Sequence, residues 1–429
     1  MPLQVFDRLE SEVRSYVRSF PTVFKTAKGS WLTNENGQKY LDFFAGAGTL
    51  NYGHNPDALK TALIDYLSSD GIVHGLDMAT CAKREFIETF ERNILKPRKL
   101  DYKLQFTGPT GTNAVEAALK LARQVKKRHT VLCFTNAFHG VTSGSVAATG
   151  SRKFREATGT ALENTRFMPY AGYYGQDANT LAMIERQLKD PSSGLDHPAA
   201  VLVEAIQGEG GINTASPEWL RGLAALCKRH DMLLIVDDIQ MGCGRTGDFF
   251  SFEQAGIVPD IVTLSKSLSG YGLPMALVLM KPELDIWKVS AHNGTFRGNN
   301  PAFVTATTAL NTFWQNGEFA QSVIEKGRFM HQRLIQMRKH FSIVSTVRGR
   351  GMVGGLVTPS DEYADAVSAS CFKRGLIIET CGPRGEVVKL LPALTISKED
   401  LSAGLDILQA ALDEAEATHQ SLLTKEAIA

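Results

Sequence analysis

The 429-residue chain has no excess of charge of either sign: 46 Lys and Arg face 45 Asp and Glu, a formal net of +1. A protein that tracks a phosphate backbone relies on a strong positive field, so nucleic acid is not expected as a partner. Cysteine is sparse. Cys81, Cys133, Cys227, Cys243, Cys371 and Cys381 are scattered without a CxxC pair, and no His-x-His spacing completes a set of zinc ligands, so no metal is expected. Cys133 and Cys227 stand inside apolar stretches, where a free thiol serves as a small hydrophobe, and a reducing cytoplasm is the expected compartment. No run approaches the ~20 apolar residues of a membrane span. Asp7, Glu10 and Glu12 stand where a signal peptide would carry its apolar core, so neither export by such a signal nor a membrane partner is expected. Internal repeats, low-complexity tracts and obvious linkers are also missing. With 43% hydrophobic and 21% charged residues, the chain has a folded protein's composition rather than a disordered one's, and its length allows two or three domain-sized units.

The middle of the chain alternates short apolar runs with longer amphipathic ones, the pattern of parallel strands joined by crossover helices. Expected strands are 104–106, 131–135, 200–206, 233–236, 261–264 and 275–280. Leu233-Leu234-Ile235-Val236 lacks alternation, which points to burial on both faces of a central sheet. Val115, Ala118, Leu119, Ala122 and Val125 recur at helical spacing, so 113–126 reads as a helix with one face on that sheet. After about Pro301 the texture shifts to longer helical stretches and then short strands near 375–379 and 387–390, a smaller α+β unit. Its closing helix has Ser397 as a cap and Leu401, Leu405, Leu408 and Leu412 along one face, with fraying expected after Thr418. The resulting division is 1–55 as an N-terminal segment packing with the small domain, 56–305 as the large domain, and 306–429 as the small domain. The fold class is α/β, with a mostly parallel central sheet flanked by helices.

In an open parallel sheet, ligands gather at the carboxyl ends of the strands. Three such ends carry unusual residues. Gly108-Pro109-Thr110-Gly111-Thr112-Asn113 lies between a strand and a helix, where unpaired backbone N–H groups, the positive helix end and the Thr112 hydroxyl suit a phosphate dianion. A tight capped turn explains that loop equally well, and no Gly-Lys-Ser/Thr follows to make it a Walker loop. Lys266 stands at a strand end among small residues, with Gly270 and Gly272 permitting close approach, as a Schiff-base lysine requires; a solvated lysine is the alternative. Asp237 ends a buried strand and needs a partner to stay ionised, either a protonated pyridine nitrogen or a local cap or ion pair with Arg245. Together, and in this order, the three specify pyridoxal 5′-phosphate, whose phosphate, ring nitrogen and aldehyde each find a partner. Phe138 could stack on the ring or serve as core, and His139 could be a satisfied loop histidine.

The motifs GTNAVEAALKLAR, FHG, QGEGG, LIVDDIQMGCGRTG, SKSLSGYGLP, GTFRGNNP and VRGRGM resemble those of the class III aminotransferases, fold-type I pyridoxal-phosphate enzymes, in order and spacing. The likeness runs from about Phe6 to Leu412. DFFAGAGTLNYGHNP and SDGIVHGLDM look most like the members that form diaminobutyrate from glutamate and aspartate 4-semialdehyde. By that resemblance Lys266 is the Schiff-base lysine, Asp237 the pyridinium partner and Gln240 a contact to the cofactor's phenolic oxygen. Gly111 and Thr112 hold the phosphate, and Phe138, His139 and Glu204 complete the cofactor set. Thr295 matches a threonine that reaches the neighbouring subunit's phosphate, which implies a homodimer with shared sites, or a higher oligomer. Glu209 matches a switch glutamate that shields an arginine. This sequence departs there, because the corresponding stretch carries Lys389, which cannot form a bidentate fork to a carboxylate. Lys389 is then either a weaker holder of glutamate's carboxylate, an ion-pair partner of Glu209, or a solvated strand-end lysine. The substrates implied are a small-molecule amino donor and an aldehyde acceptor. Members acting on ornithine, 4-aminobutyrate or acetylornithine would share every cofactor residue, and a non-catalytic binder of a phosphate ligand is the rival from another class.

Overall fold

Residues 3–428 are described by a computed structural model, with side chains placed through 418. Seven strands form the central sheet in the order Lys103–Phe106, Leu277–Met280, Ile261–Leu264, Leu233–Asp237, Ala200–Val203, Val131–Phe134 and Thr165–Met168. Only Leu277–Met280 runs against its neighbours. The remaining pairings are parallel. Non-alternating apolar runs belong on a sheet covered on both sides. The packing shows this directly: Leu234 and Val236 join one hydrophobic cluster, while Leu233 and Ile235 join another on the opposite face. The helix Gly111–Lys126 covers the second face with Ala114, Val115, Ala118 and Leu119, all fully buried.

Two differences from the sequence expectation have local causes. The expected strand 200–206 stops at Val203, and Ile206–Gln207 pairs instead with Asn213–Thr214. The Tyr170 hydroxyl lies 2.8 and 3.0 Å from the carbonyls of Glu204 and Ala205, and the Ala205 carbonyl accepts the Ala215 N–H at 3.1 Å, so the chain turns from the central sheet to its own hairpin there. The edge strand Thr165–Met168 was not foreseen, because its exposed Arg166 breaks an already short apolar pattern.

A second sheet of four antiparallel strands comprises Thr346–Arg350, Val353–Val357, Val387–Leu390 and Glu379–Cys381. Near the N-terminus, Phe24–Lys28, Trp31–Asn34 and Lys39–Asp42 form a meander whose fourth strand is Leu376–Ile377. Leu41 and Phe43 accordingly share a core cluster with Leu334, Leu390 and Leu405. The closing helix Lys398–Ile428 starts where Ser397 Oγ accepts the Asp400 N–H at 2.9 Å, and it buries Leu401, Leu405, Leu408 and Leu412. The fraying expected beyond Thr418 concerns side chains outside those described. Among the described residues, no helix is long and apolar enough to cross a membrane.

Arg245 ties these parts together. Fully buried, its guanidinium donates to the carbonyls of Met352 and Pro392 and to Asn51 Oδ1, so it is not the partner of Asp237. Removing a buried cation that serves three acceptors leaves all of them unpaired, and such losses cost about 3–5 kcal/mol. Arg245→Met is expected to lower the unfolding free energy by about that amount in a urea titration. A loss under about 1 kcal/mol would show that the three acceptors find other donors.

Candidate active site

The chemistry-bearing residues stand at the carboxyl edge of the central sheet because the strands themselves are too deeply buried to hold unpaired polar groups. Asp237 is the last residue of its strand, Lys266 follows Ile261–Leu264, and Glu204 follows Ala200–Val203. Gly111 and Thr112 open the helix after Lys103–Phe106, and Phe138 and His139 lie in the loop after Val131–Phe134. One cavity of ≈ 190 Å³ gathers all eight of these own-chain cofactor candidates, from Gly111 to Lys266 and including Gln240. Thr295 is not among its lining. It stands exposed in the 291–299 loop.

Lys266 has φ +48°, the left-handed region, and its Nζ donates to the Ala47 carbonyl at 2.9 Å. Ala47 is itself left-handed at φ +56°, and its carbonyl also accepts from Gln240 Nε2 at 3.1 Å. Two non-glycine residues in this region store backbone strain beside the same amine. Burial holds the Lys266 amine below its ordinary pKa range, with the charge of Glu209 opposing and that of Lys389 reinforcing the shift.

Buried Asp237 receives His139 Nδ1 at 2.7 Å on one oxygen, and the Thr263 hydroxyl and Ile239 N–H, both at 3.2 Å, on the other. Burial would lower the pKa of His139, yet the hydrogen bond and charge of Asp237 carry it above the ordinary value. Glu204 accepts the Phe138 N–H at 2.9 Å, and burial pushes its carboxyl up to about 7. The Phe138 ring is braced edge-on by Phe154, with centroids 5.3 Å apart.

A charged group borders the cavity. Lys389, fully buried, places its ammonium 2.7 Å from Glu209 and 2.8 Å from Glu379, with Gln240 Nε2 adding a bond to Glu209 at 2.9 Å. Despite burial, Lys389 holds Glu209 down to about 2. Burial pushes Glu379 up to about 7, against the pull of Lys389. The ammonium itself is held well above its ordinary range, because the two carboxylates outweigh the cost of burial. The two substrate-site candidates, Lys389 and Glu209, are thus brought together as an ion pair, and Lys389 is not a solvated strand-end lysine, because it is fully buried between two carboxylates. Sequence reasoning missed Glu379 and the Ala47 carbonyl. Glu379 lies directly opposite Lys389 in antiparallel register, a pairing that requires both strands to be placed.

This arrangement has the parts for amine chemistry on a bound carbonyl group, and the family comparison agrees: the aminotransferase class-III family matches residues 13–412. The chain belongs to the class III aminotransferases. Among its relatives, the diaminobutyrate–2-oxoglutarate transaminase of Bordetella parapertussis is 61% identical over 417 residues, covering 97% of this chain and 96% of the relative. The enzyme of the same name from Halomonas elongata is 56% identical over 419 residues, covering 97% of this chain and 100% of the relative. Among solved structures, ornithine aminotransferase from Toxoplasma gondii superposes with TM-score 0.83 at 25% identity, over 97% of this chain and 94% of that one. An S-selective transaminase from Bacillus megaterium shares the fold, with TM-score 0.87 at 21% identity over 97% and 98% of the two chains. The α/β architecture is that of the fold-type I enzymes.

Class III aminotransferases depend on pyridoxal 5′-phosphate, and the residues here fit it. Two buried polar atoms of the cavity residues, His139 Nε2 and Gln240 Oε1, have no hydrogen-bond partner. Two glycines let Gln240 and Thr112 hold these positions. A Cβ at Gly208 would fall 1.7 Å from Gln240 Oε1, and one at Gly140 2.6 Å from Thr112 Oγ1.

Proposed function

We propose that the chain transfers the amino group of L-glutamate to the aldehyde of L-aspartate 4-semialdehyde, giving 2-oxoglutarate and L-2,4-diaminobutyrate. The observation that carries this reading is the set of relatives between 54 and 61% identical over nearly the whole chain, all named for that transamination. When bound, the cofactor supplies an electron sink for the charge left at the donor's Cα. Lys266 holds the cofactor and moves a proton to and from the substrate carbon; its pKa, lowered by burial, supports that shuttle role. Asp237 would face the ring nitrogen, its carboxylate held in place by His139 Nδ1, the Thr263 hydroxyl and the Ile239 N–H. The N-terminus of the helix Gly111–Lys126, with Gly111 and Thr112, would hold the phosphate, and Gln240 would contact the phenolic oxygen. Phe138, His139 and Glu204, which line the same cavity, would complete the cofactor's surroundings. Glu209 guards Lys389, and turning it aside uncovers an ammonium for the donor's α-carboxylate.

The active form is proposed to be a homodimer with sites shared through Thr295. Two features support this: Thr295 lies outside its own chain's cavity, and Ile72, Val73, Leu76, Met78 and Phe296 are exposed apolar side chains. Phe296 packs edge-on against His74, 5.4 Å away, which joins the two stretches into one patch. The three-part division at 55 and 305 and a cytoplasmic setting belong to the same proposal; all six described cysteines are free thiols, five of them buried.

A panel of aldehydes offered with glutamate tests the reaction. Aspartate 4-semialdehyde is expected to give the highest kcat/KM; a higher value for glutamate 5-semialdehyde, the ornithine-type partner, would replace this reading. Asp237→Asn is expected to keep the cofactor and lose most turnover, and near wild-type rates with full cofactor content would remove its role. On dilution into demonstrably monomeric protein, activity and cofactor affinity should fall together; a fully active monomer would end the shared-site proposal.

A further inference from the structure

Glu379 lies outside every motif that pointed to the cofactor, yet it lines a second cavity. That cavity, ≈ 620 Å³, shares Phe138 and Glu209 with the cofactor cavity and so continues it outward. Its charged lining divides by depth. Buried Glu379 and half-buried Glu209 form an inner wall beside Tyr16, whereas Arg152, Lys153 and Arg384 are exposed at the outer side. Asp365 is exposed there too, and accepts from the Thr380 hydroxyl at 3.3 Å. The Lys389 ammonium is fully buried behind the two glutamates and is not part of the lining. Substrate in this cavity therefore meets carboxylates before it meets that cation. The Glu379 oxygen that lies 2.8 Å from the ammonium is itself buried. Two carboxylates on the wall of a cavity, with a single cation behind them, favour a ligand that brings N–H groups and positive charge.

We infer that Glu379, together with Glu209, receives the α-ammonium of the substrate whose terminal group reacts, while the outer basic residues take its α-carboxylate. The inference rests on the proposed function. Aspartate 4-semialdehyde and diaminobutyrate both carry a zwitterionic amino-acid head remote from the reacting carbon, whereas glutamate's remote end is a carboxylate alone. Glu379 is thus the residue that tells the acceptor apart from simpler terminal aldehydes and amines. Lys389 supports it from behind, keeping two carboxylates close together without mutual repulsion. Burial holds Glu379 up to about 7, so a bound ammonium adds the second positive charge that favours its ionised form.

The test compares 2,4-diaminobutyrate with 4-aminobutyrate, which differ only in the α-amino group. Each is mixed with holoenzyme, and the cofactor's absorbance change gives the rate of the single half-reaction. Wild-type protein is expected to favour diaminobutyrate by roughly ten- to a hundredfold, the worth of a charged hydrogen bond. Glu379→Gln is expected to lower the diaminobutyrate rate by that factor more than the 4-aminobutyrate rate. Equal wild-type rates for the two amines, or a parallel loss for both in the variant, would overturn the inference and leave the aminotransferase reading standing. If neither amine reacts while glutamate still converts the cofactor, the acceptor assignment itself fails, and the inference with it. Should Glu379→Gln not fold, the wild-type comparison alone decides.

Discussion

Burial of the central strands on both faces is the constraint from which the rest of this structure follows. Ile235, Val236, Val262 and Leu264 have no solvent-facing side, so a polar group survives within these strands only when it is hydrogen-bonded, as Thr263 is to Asp237, and charged groups gather where the strands end. Asp237, Glu204 and Lys266 stand at such ends, and the parallel direction of five neighbouring strands puts those ends on one edge. The site is the rim of this apolar sheet core.

The rim is held in place from outside the sheet. Ala47, in the segment that follows the N-terminal meander, offers its carbonyl to both Lys266 and Gln240, and Gly48 accepts the Ser267 hydroxyl at 2.7 Å. The meander is in turn joined to the C-terminal part by the Leu376–Ile377 strand and by the buried hydrogen bonds of Arg245. Segments far apart in the chain thus meet at one amine. A cofactor lysine held at φ +48° needs such support, because the strain is retained only where surrounding contacts over-determine the backbone.

Charge is distributed by the same logic. Lys389 could not remain ionised and fully buried without Glu209 and Glu379, and neither carboxylate could sit so near the other without Lys389. The lysine's compact charge serves both carboxylates at once. The second carboxylate gives the outer cavity an acidic inner wall.

Much of this was legible in the chain itself. The unbroken run Leu233 to Val236 implied a doubly covered strand, the helical spacing from Val115 to Val125 its covering helix, and glycines beside Lys266 a lysine that something must approach. These are local signals, because strand burial, helix periodicity and turn freedom each depend on residues a few positions apart. What the tertiary structure alone decided depends on residues far apart in sequence. Glu379 gained its meaning from standing across a ladder from Lys389, Ala47 from folding over the sheet edge, and Arg245 from three acceptors drawn from three regions. No spacing in the chain encodes those meetings; register and packing create them.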